Sequence, residues 1–133
     1  ENSIRQKNLQ NIIKFYGPTN KMNLIYALSD IVISSSTDPE AFGRVSIEAQ
    51  AMGKLIIASA HGGSQETILE GKTGYLYSPK NPFELMEKIS SAIDQKTYCS
   101  NEMSASAIEH IKSNYGKDKM CKKTLEFYQE IIG

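Results

Sequence analysis

Short apolar runs rich in β-branched residues alternate along this chain with segments whose apolar residues recur at helical spacing. The short runs predict strands at 12–16, 31–34, 55–58 and 74–77, the first of which is closed by Gly17-Pro18. The helical spacing predicts helices at 21–29, 45–52, 62–69, 82–93, 102–114 and 118–132.

Two of the predicted helices carry local signals for one end or one face. Asn81 has the position of a helix cap, Pro82 that of the first helical residue, and Glu84 that of a capping-box carboxylate. The buried face of this helix is predicted to consist of Leu85, Met86, Ile89, Ala92 and Ile93. The last helix has a comparable apolar stripe at Cys121, Leu125, Tyr128 and Ile132.

Strands that alternate with helices predict an α/β fold, a Rossmann-like parallel sheet with helices on both faces. A length of 133 residues fits one domain with one hydrophobic core. Ligands of such sheets bind outside the carboxyl ends of the strands. The loops after Ser34 and Ala58 are therefore the first places to search for a site, and the two strands are expected to be adjacent and parallel.

Composition excludes several classes of function. Fifteen basic and fifteen acidic residues give a formal net charge of +0, which does not favour nucleic-acid binding. The two cysteines and two histidines lack metal-ligand spacing, so no metal site is expected. The apolar runs are too short to span a bilayer and no signal peptide is evident, which predicts a soluble, cytoplasmic protein. The start at Glu1 without a methionine is typical of a fragment.

The loop between 35 and 44 carries the chemistry. Gly43 stands just before a predicted helix, where backbone can approach a ligand closely and free N–H groups can hold phosphate. Glu48 lies one turn into that helix, where a carboxylate can accept two hydrogen bonds from a ribose diol. Glu40 precedes the turn. A nucleoside diphosphate sugar would span these three points, although a glutamate near a helix start can also simply complement the helix dipole.

The sequence from 40 to 53, EAFGRVSIEAQAMG, closely resembles the signature E-x-F-G-x-x-x-x-E-A-x-A-x-G of family-4 retaining glycosyltransferases with the GT-B fold. Two later segments, GGSQE at 62–66 and EGKTGYL at 70–76, resemble the next motifs of that family in the same order. The resemblance covers about residues 12–94. It implies that the chain is part of the C-terminal, nucleotide-sugar-binding domain of such an enzyme.

The resemblance implies a role for each matching residue. Glu48 would bind the ribose hydroxyls, and Glu40, the candidate catalytic residue, would orient the donor sugar. The pyrophosphate or sugar would meet backbone amides at Phe42, Gly43, Arg44 and Val45. The base would lie beside Gly17 and Pro18. A neighbouring loop near the phosphates would consist of His61, Gly62 and Gly63, with the alternative that His61 is a loop histidine without a ligand contact.

The chain departs from the family pattern in two places. Ser34-Ser35-Ser36 stands where the family usually has Pro-Ser. No residue matches the basic pair that neutralises the leaving diphosphate, because in the family that pair lies upstream of the first residue here. The acceptor-binding N-terminal domain is expected to lie upstream as well. The helix at 118–132 is expected to pack on that domain, with Phe127 and Ile131 uncovered in this chain.

The implied reaction transfers a sugar from a nucleotide diphosphate sugar to an acceptor hydroxyl with anomeric retention, without a cofactor or metal. The acceptor would be a glycan or lipid-linked molecule of lipopolysaccharide or other envelope synthesis, held by the N-terminal domain, with peripheral membrane association possible for the whole enzyme. Two alternatives remain: a glycosidase that uses Glu40 and Glu48 as its carboxylate pair, and a non-catalytic nucleotide-binding module.

Overall fold

The computed structural model describes residues 2–39 and 41–132, and within them an α/β fold. Three strands, β1 (Ile31–Ser34), β2 (Leu55–Ser59) and β3 (Tyr75–Tyr77), form a parallel sheet in the order β1-β2-β3. The helices are α1 (Asn2–Gln6), α2 (Met22–Leu28), α3 (Arg44–Ala51), α4 (Gly63–Thr67), α5 (Pro82–Asp94), α6 (Asn101–Tyr115) and α7 (Lys117–Ile132), with a short 3-10 turn at Thr97–Cys99.

Helices cover both faces of the sheet, as predicted. On one face, Ile56 and Ala58 of β2 pack against Tyr26 of α2 and Ala49 of α3. The opposite face of β2 packs on a second apolar cluster, formed by Leu55, Ile57, Tyr77, Ala92 and their partly buried neighbours Leu85, Ile89, Tyr98 and Met103. All five residues of β2 are buried, which is why this strand reads as a continuous apolar run.

Most element boundaries match the sequence pattern because their signals are local. Asn81 accepts a hydrogen bond from the N–H of Glu84 and Pro82 begins α5, as predicted. The Glu84 carboxylate accepts from the N–H of Ser78 at 2.8 Å, one turn before the predicted cap partner. On the predicted apolar face of α5, Ala92 is buried, but Met86 and Ile93 are more than half exposed.

The strand predicted at 12–16 does not form. This segment is exposed coil, with Phe15 66 % and Tyr16 86 % exposed. A β-branched run becomes a strand only when a neighbouring strand pairs with its N–H and C=O groups, and among the described residues β1 pairs with β2 alone.

The apolar stripe predicted for α7 is not buried either. Leu125, Tyr128 and Ile132 are 62 %, 56 % and 82 % exposed, and α7 has no buried residue in the described chain. Phe127 and Ile131, expected to be uncovered, are 59 % and 65 % exposed. The helix therefore presents apolar side chains on more than one face. Its packing on an N-terminal domain stays a prediction.

None of the helices in the described residues has the length and apolar character needed to cross a membrane.

Candidate functional site

The loops after β1 and β2 meet at one edge of the sheet. The two strands are paired in parallel, with Ser34 opposite Ala58, so their carboxyl ends lie side by side. Beyond these ends, the Ser59 hydroxyl donates to the carbonyl of Ser36 at 2.8 Å, and His61 Nε2 lies 2.9 Å from the same oxygen. The predicted adjacency of the two loops is therefore confirmed.

Two glycine turns are in contact at this edge. Gly43 has a left-handed backbone (φ +68°, ψ +49°) just before α3, a conformation that costs other residues energy. A Cβ on Gly43 would lie 3.3 Å from Gly63 C and 3.3 Å from Ser64 N. The turn before α3 and the start of α4 therefore touch through backbone, with no side chain between them.

The amino end of α3 has backbone N–H groups without an acceptor inside the helix. The first N–H groups of an α-helix have no acceptor within the helix, and here they follow Gly43, at positions 44 to 46. Phe42, beside this turn, has a side chain that is 55 % exposed. Such an N-terminus is a common place for a phosphate to bind, and phosphate binding here stays a prediction.

Glu48 lies one turn into α3, and both of its carboxylate oxygens are engaged. Oε2 accepts a hydrogen bond from the hydroxyl of Tyr26 at 3.0 Å, and Oε1 forms an ion pair with Arg44 at 3.0 Å. The carboxylate thus bridges Tyr26, the buried residue of α2, and a solvent-exposed arginine on its own helix. Burial, followed by the hydrogen bond and charge of Glu48, raises the pKa of Tyr26 to about 12, so this phenol stays a donor.

The remaining predicted site residues do not all lie at the glycine turns. Glu40 lies outside the described residues. Gly17 and Pro18 lie in exposed coil, and a Cβ on Gly17 would meet nothing within 4 Å. His61 is held in the loop after β2 by its contact to Ser36, and its Nδ1 is buried without a hydrogen-bond partner among the described residues.

Sequence reasoning missed three residues that hold the site together. Gln50, fully buried on α3, donates to the carbonyl of Thr67 at 3.0 Å and so ties α3 to α4. Tyr115 of α6 donates to the carbonyl of Glu66 at 2.7 Å, and its ring packs edge-on against Phe42. Tyr26 is the third. Each looks in the sequence like an ordinary helical residue, because the partner lies 17 or more positions away.

A cavity of about 470 Å³ lies elsewhere, at the amino end of β1, where it is lined by Leu28, Ser29, Asp30, Ile31, Ile93 and Tyr98. It shares no residue with the glycine turns. We assign the site to the turns because a helix N-terminus there lies one helical turn from Glu48, whose two carboxylate oxygens both have side-chain partners.

Among the side chains that the structure describes, which leave out Glu40 and Cys99, there is no group of three or more His, Cys, Asp or Glu placed to hold a metal ion. The expectation that the reaction needs no metal stays a prediction.

The family model of glycosyl transferases group 1 matches residues 1–114. The chain belongs to this family. Its fold matches the C-terminal domains of GT-B glycosyltransferases, and a glycosyltransferase from Rickettsia africae shares 38 % identity over 97 % of the chain with a TM-score of 0.88.

Two further proteins are similar to this group 1 domain. Anabaena Alr3699/HepE, solved in complex with UDP, shares 27 % identity over 97 % of the chain with a TM-score of 0.90. The lipopolysaccharide 1,2-N-acetylglucosaminetransferase of Salmonella typhimurium is 39 % identical over 77 residues, or 57 % of the chain. The chain spans 34 % and 35 % of the two solved chains and 20 % of the Salmonella enzyme.

Proposed function

We propose that this domain binds the donor in an enzyme that transfers a sugar from a nucleotide diphosphate sugar to an acceptor hydroxyl, with retention of the anomeric configuration. The observation that carries the proposal is the contact between the two glycine turns, with Glu48 one helical turn beyond Gly43. This arrangement offers backbone donors for a diphosphate and, one helical turn away, a carboxylate for a ribose.

The proposed roles combine this geometry with the family motif in the sequence. Glu48 accepts hydrogen bonds from the ribose hydroxyls. Backbone amides of Phe42, Gly43, Arg44 and Val45 face the diphosphate or the sugar, and the loop of His61, Gly62 and Gly63 flanks the phosphates. Glu40 orients the donor sugar, and Gly17 with Pro18 lies beside the base. HepE, which has been solved with UDP and with UDP-glucose, supports a uridine nucleotide as the first donor to test.

The leaving diphosphate needs positive charge. The amino end of α3 supplies part of it, and in this proposal a basic pair on another part of the protein supplies the rest without a metal. The acceptor would bind to a second, N-terminal domain. The Salmonella relative, a lipopolysaccharide enzyme by name, supports an acceptor of envelope glycan synthesis, reached by a cytoplasmic enzyme that associates with the membrane surface.

The test is a calorimetric titration of the complete protein with UDP and with UDP-glucose, followed by an assay of sugar transfer. Glu48→Gln replaces a charged acceptor by a neutral one of similar shape, and hydrogen bonds to charged groups are worth about 1.5–3 kcal/mol. We expect affinity for UDP and for UDP-glucose to fall by at least ~10-fold. Glu87→Gln is the control, because it removes one exposed carboxylate from α5, on the opposite face of the sheet.

Equal UDP affinity of Glu48→Gln and the wild type would overturn the ribose assignment. Nucleotide binding without any sugar transfer in the complete protein, with a range of acceptors, would favour a non-catalytic nucleotide-binding module. Release of free sugar from a glycoside would favour a glycosidase. The anomeric configuration of the product, read by NMR, decides between retention and inversion.

A further inference from the structure

Glu48 is held from the inside of the domain by a residue outside the glycosyltransferase motif. Tyr26 lies in the middle of α2, is 3 % exposed, and packs in the same apolar cluster as Ala49 and Ile56. Its hydroxyl emerges from this cluster to donate to Glu48 Oε2 at 3.0 Å. The donor comes 22 positions earlier in the chain, so the contact exists only because α2 and α3 cover the same face of the sheet.

The two carboxylate oxygens of Glu48 have partners that differ in exposure and rigidity. The partner of Oε1 is Arg44, whose side chain is 82 % exposed, against 36 % for Glu48. An exposed pair of this kind, four positions apart on a helix, contributes little stability and exchanges readily with solvent. The partner of Oε2 is a rigid, packed aromatic ring with one rotatable hydroxyl. The contact of Oε2 with Tyr26 is therefore the persistent one. Oε1, the outer oxygen, is the one that a ligand can bind in place of Arg44.

We propose that Tyr26 is a positioning residue, which fixes the carboxylate of Glu48 so that its outer oxygen faces the ribose hydroxyls of the nucleotide. The inference rests on the proposed function, since it assumes that Glu48 binds the ribose. It extends that function to a side chain that touches no ligand and acts only through Glu48.

If Tyr26 positions the Glu48 carboxylate, its loss should affect only ligands with ribose hydroxyls. If Tyr26 only packs, its loss should affect all nucleotides. Tyr26→Phe keeps the ring and its packing and removes only the hydroxyl, so the fold is retained. Without the hydroxyl, the Glu48 side chain is free to follow Arg44 into solvent, and it must be ordered again each time ribose binds. The loss should appear only for ligands that carry ribose hydroxyls. A general loosening of α3 would weaken binding of every nucleotide alike.

The experiment measures the affinity of the complete protein for UDP and for 2′,3′-dideoxy-UDP, which lacks both ribose hydroxyls. The wild type is compared with Tyr26→Phe, Glu48→Gln and a matched control, Tyr77→Phe. Tyr77 is as buried as Tyr26, at 4 % exposed, but packs on the opposite face of the sheet. We expect Tyr26→Phe to lose about five- to tenfold in UDP affinity and to bind the dideoxy nucleotide like the wild type. Tyr77→Phe should leave the affinity for both nucleotides unchanged.

An equal loss for both nucleotides in Tyr26→Phe, or no loss for either, overturns the positioning role while Glu48→Gln still reports ribose binding. Failure of the proposed function gives another pattern. In that case the wild type fails to prefer UDP over its dideoxy analogue, or Glu48→Gln keeps the preference in full. The thermal midpoints of the variants separate both patterns from a loss of folded protein.

Discussion

Gly63 is packed against the backbone of Phe42 so closely that no side chain fits between them: a Cβ on Gly63 would lie 2.6 Å from the carbonyl oxygen of Phe42. The atoms that would be displaced are backbone, which cannot move aside as a flexible side chain can. This contact joins the loop after β1 to the start of α4, and it explains why a glycine is needed at Gly63 in structural terms.

Gly63→Ala should therefore separate the two turns. We expect the free energy of unfolding to fall by about 1–3 kcal/mol, the usual range for overpacking, and UDP affinity to fall with it because the backbone donors move apart. Urea unfolding and calorimetry measure the two effects. Gly17→Ala is the stability control, since its Cβ would meet nothing within 4 Å. An unfolding curve for Gly63→Ala that matches the wild type would contradict the contact.

Glu40→Gln should separate binding from turnover. If its partner is the donor sugar, binding of UDP alone should be unchanged, while the rate of sugar transfer falls by on the order of tenfold or more, as for an interaction realised mainly in the transition state. Initial rates test the effect on sugar transfer, and calorimetry on the same preparation tests the effect on UDP binding. Full turnover in Glu40→Gln would mean that the residue is structural.

Acid should weaken the start of α5. Hydrogen bonds from Ser78 hold the pKa of Glu84 below its usual value of 4.5. Since the folded-state pKa is lowered, the stabilising contribution is present above the unfolded-state value and is lost as the pH falls through the lowered one. Glu84→Gln should therefore be less stable than the wild type at neutral pH, and the difference should shrink once the pH is well below 4.5.

Asn81→Ala is the matched comparison for this acid dependence. It removes the cap hydrogen bond that the N–H of Glu84 donates to Asn81, a loss of about 1 kcal/mol, together with the longer 3.3 Å bond from the Asn81 amide to the Glu84 carboxylate. Asparagine itself does not titrate. Most of its cost should persist at low pH, whereas that of Glu84→Gln should not. The measurement is the free energy of unfolding in urea of the two variants, from neutral pH to well below pH 4.5. Parallel pH profiles of the two variants would exclude the assigned role of Glu84.

The exposed apolar side chains of α7 predict a contact outside this chain. Phe127→Gln combined with Ile131→Gln should change the stability of the 133-residue chain by no more than ~0.5 kcal/mol, because both residues are more than half exposed. If α7 packs on an N-terminal domain in the complete protein, the same double variant should lower the thermal midpoint there clearly, since that apolar contact would be lost. Lys123→Gln, also exposed on α7, is the control. Equal small effects in the 133-residue chain and in the complete protein would contradict the predicted contact of α7.

Elements with local signals could be predicted from the sequence. The cap at Asn81 and the proline after it define the start of α5 within one turn, and the β-branched run at 55–58 forms a buried strand. These predictions hold because the stabilising contacts lie within a few residues or require only burial on both faces. The run at 12–16 also consists mainly of β-branched and aromatic residues but stays coil, because a strand also needs a partner that the pattern of one segment does not contain.

For Glu48, the sequence determines the position on the helix, and the tertiary structure determines the contacts of the carboxylate. The spacing of Gly43 and Glu48 on one helix is a property of the chain itself, since helical geometry alone places the carboxylate one turn beyond the helix start. The family, the parallel α/β fold and the adjacency of the two loops follow from the motif order and the alternation of elements. The contact of Gly43 with Gly63, and the bond from Tyr26 to Glu48, depend on how helices pack across a sheet. That packing sums many weak contacts between distant segments, and no local pattern records it.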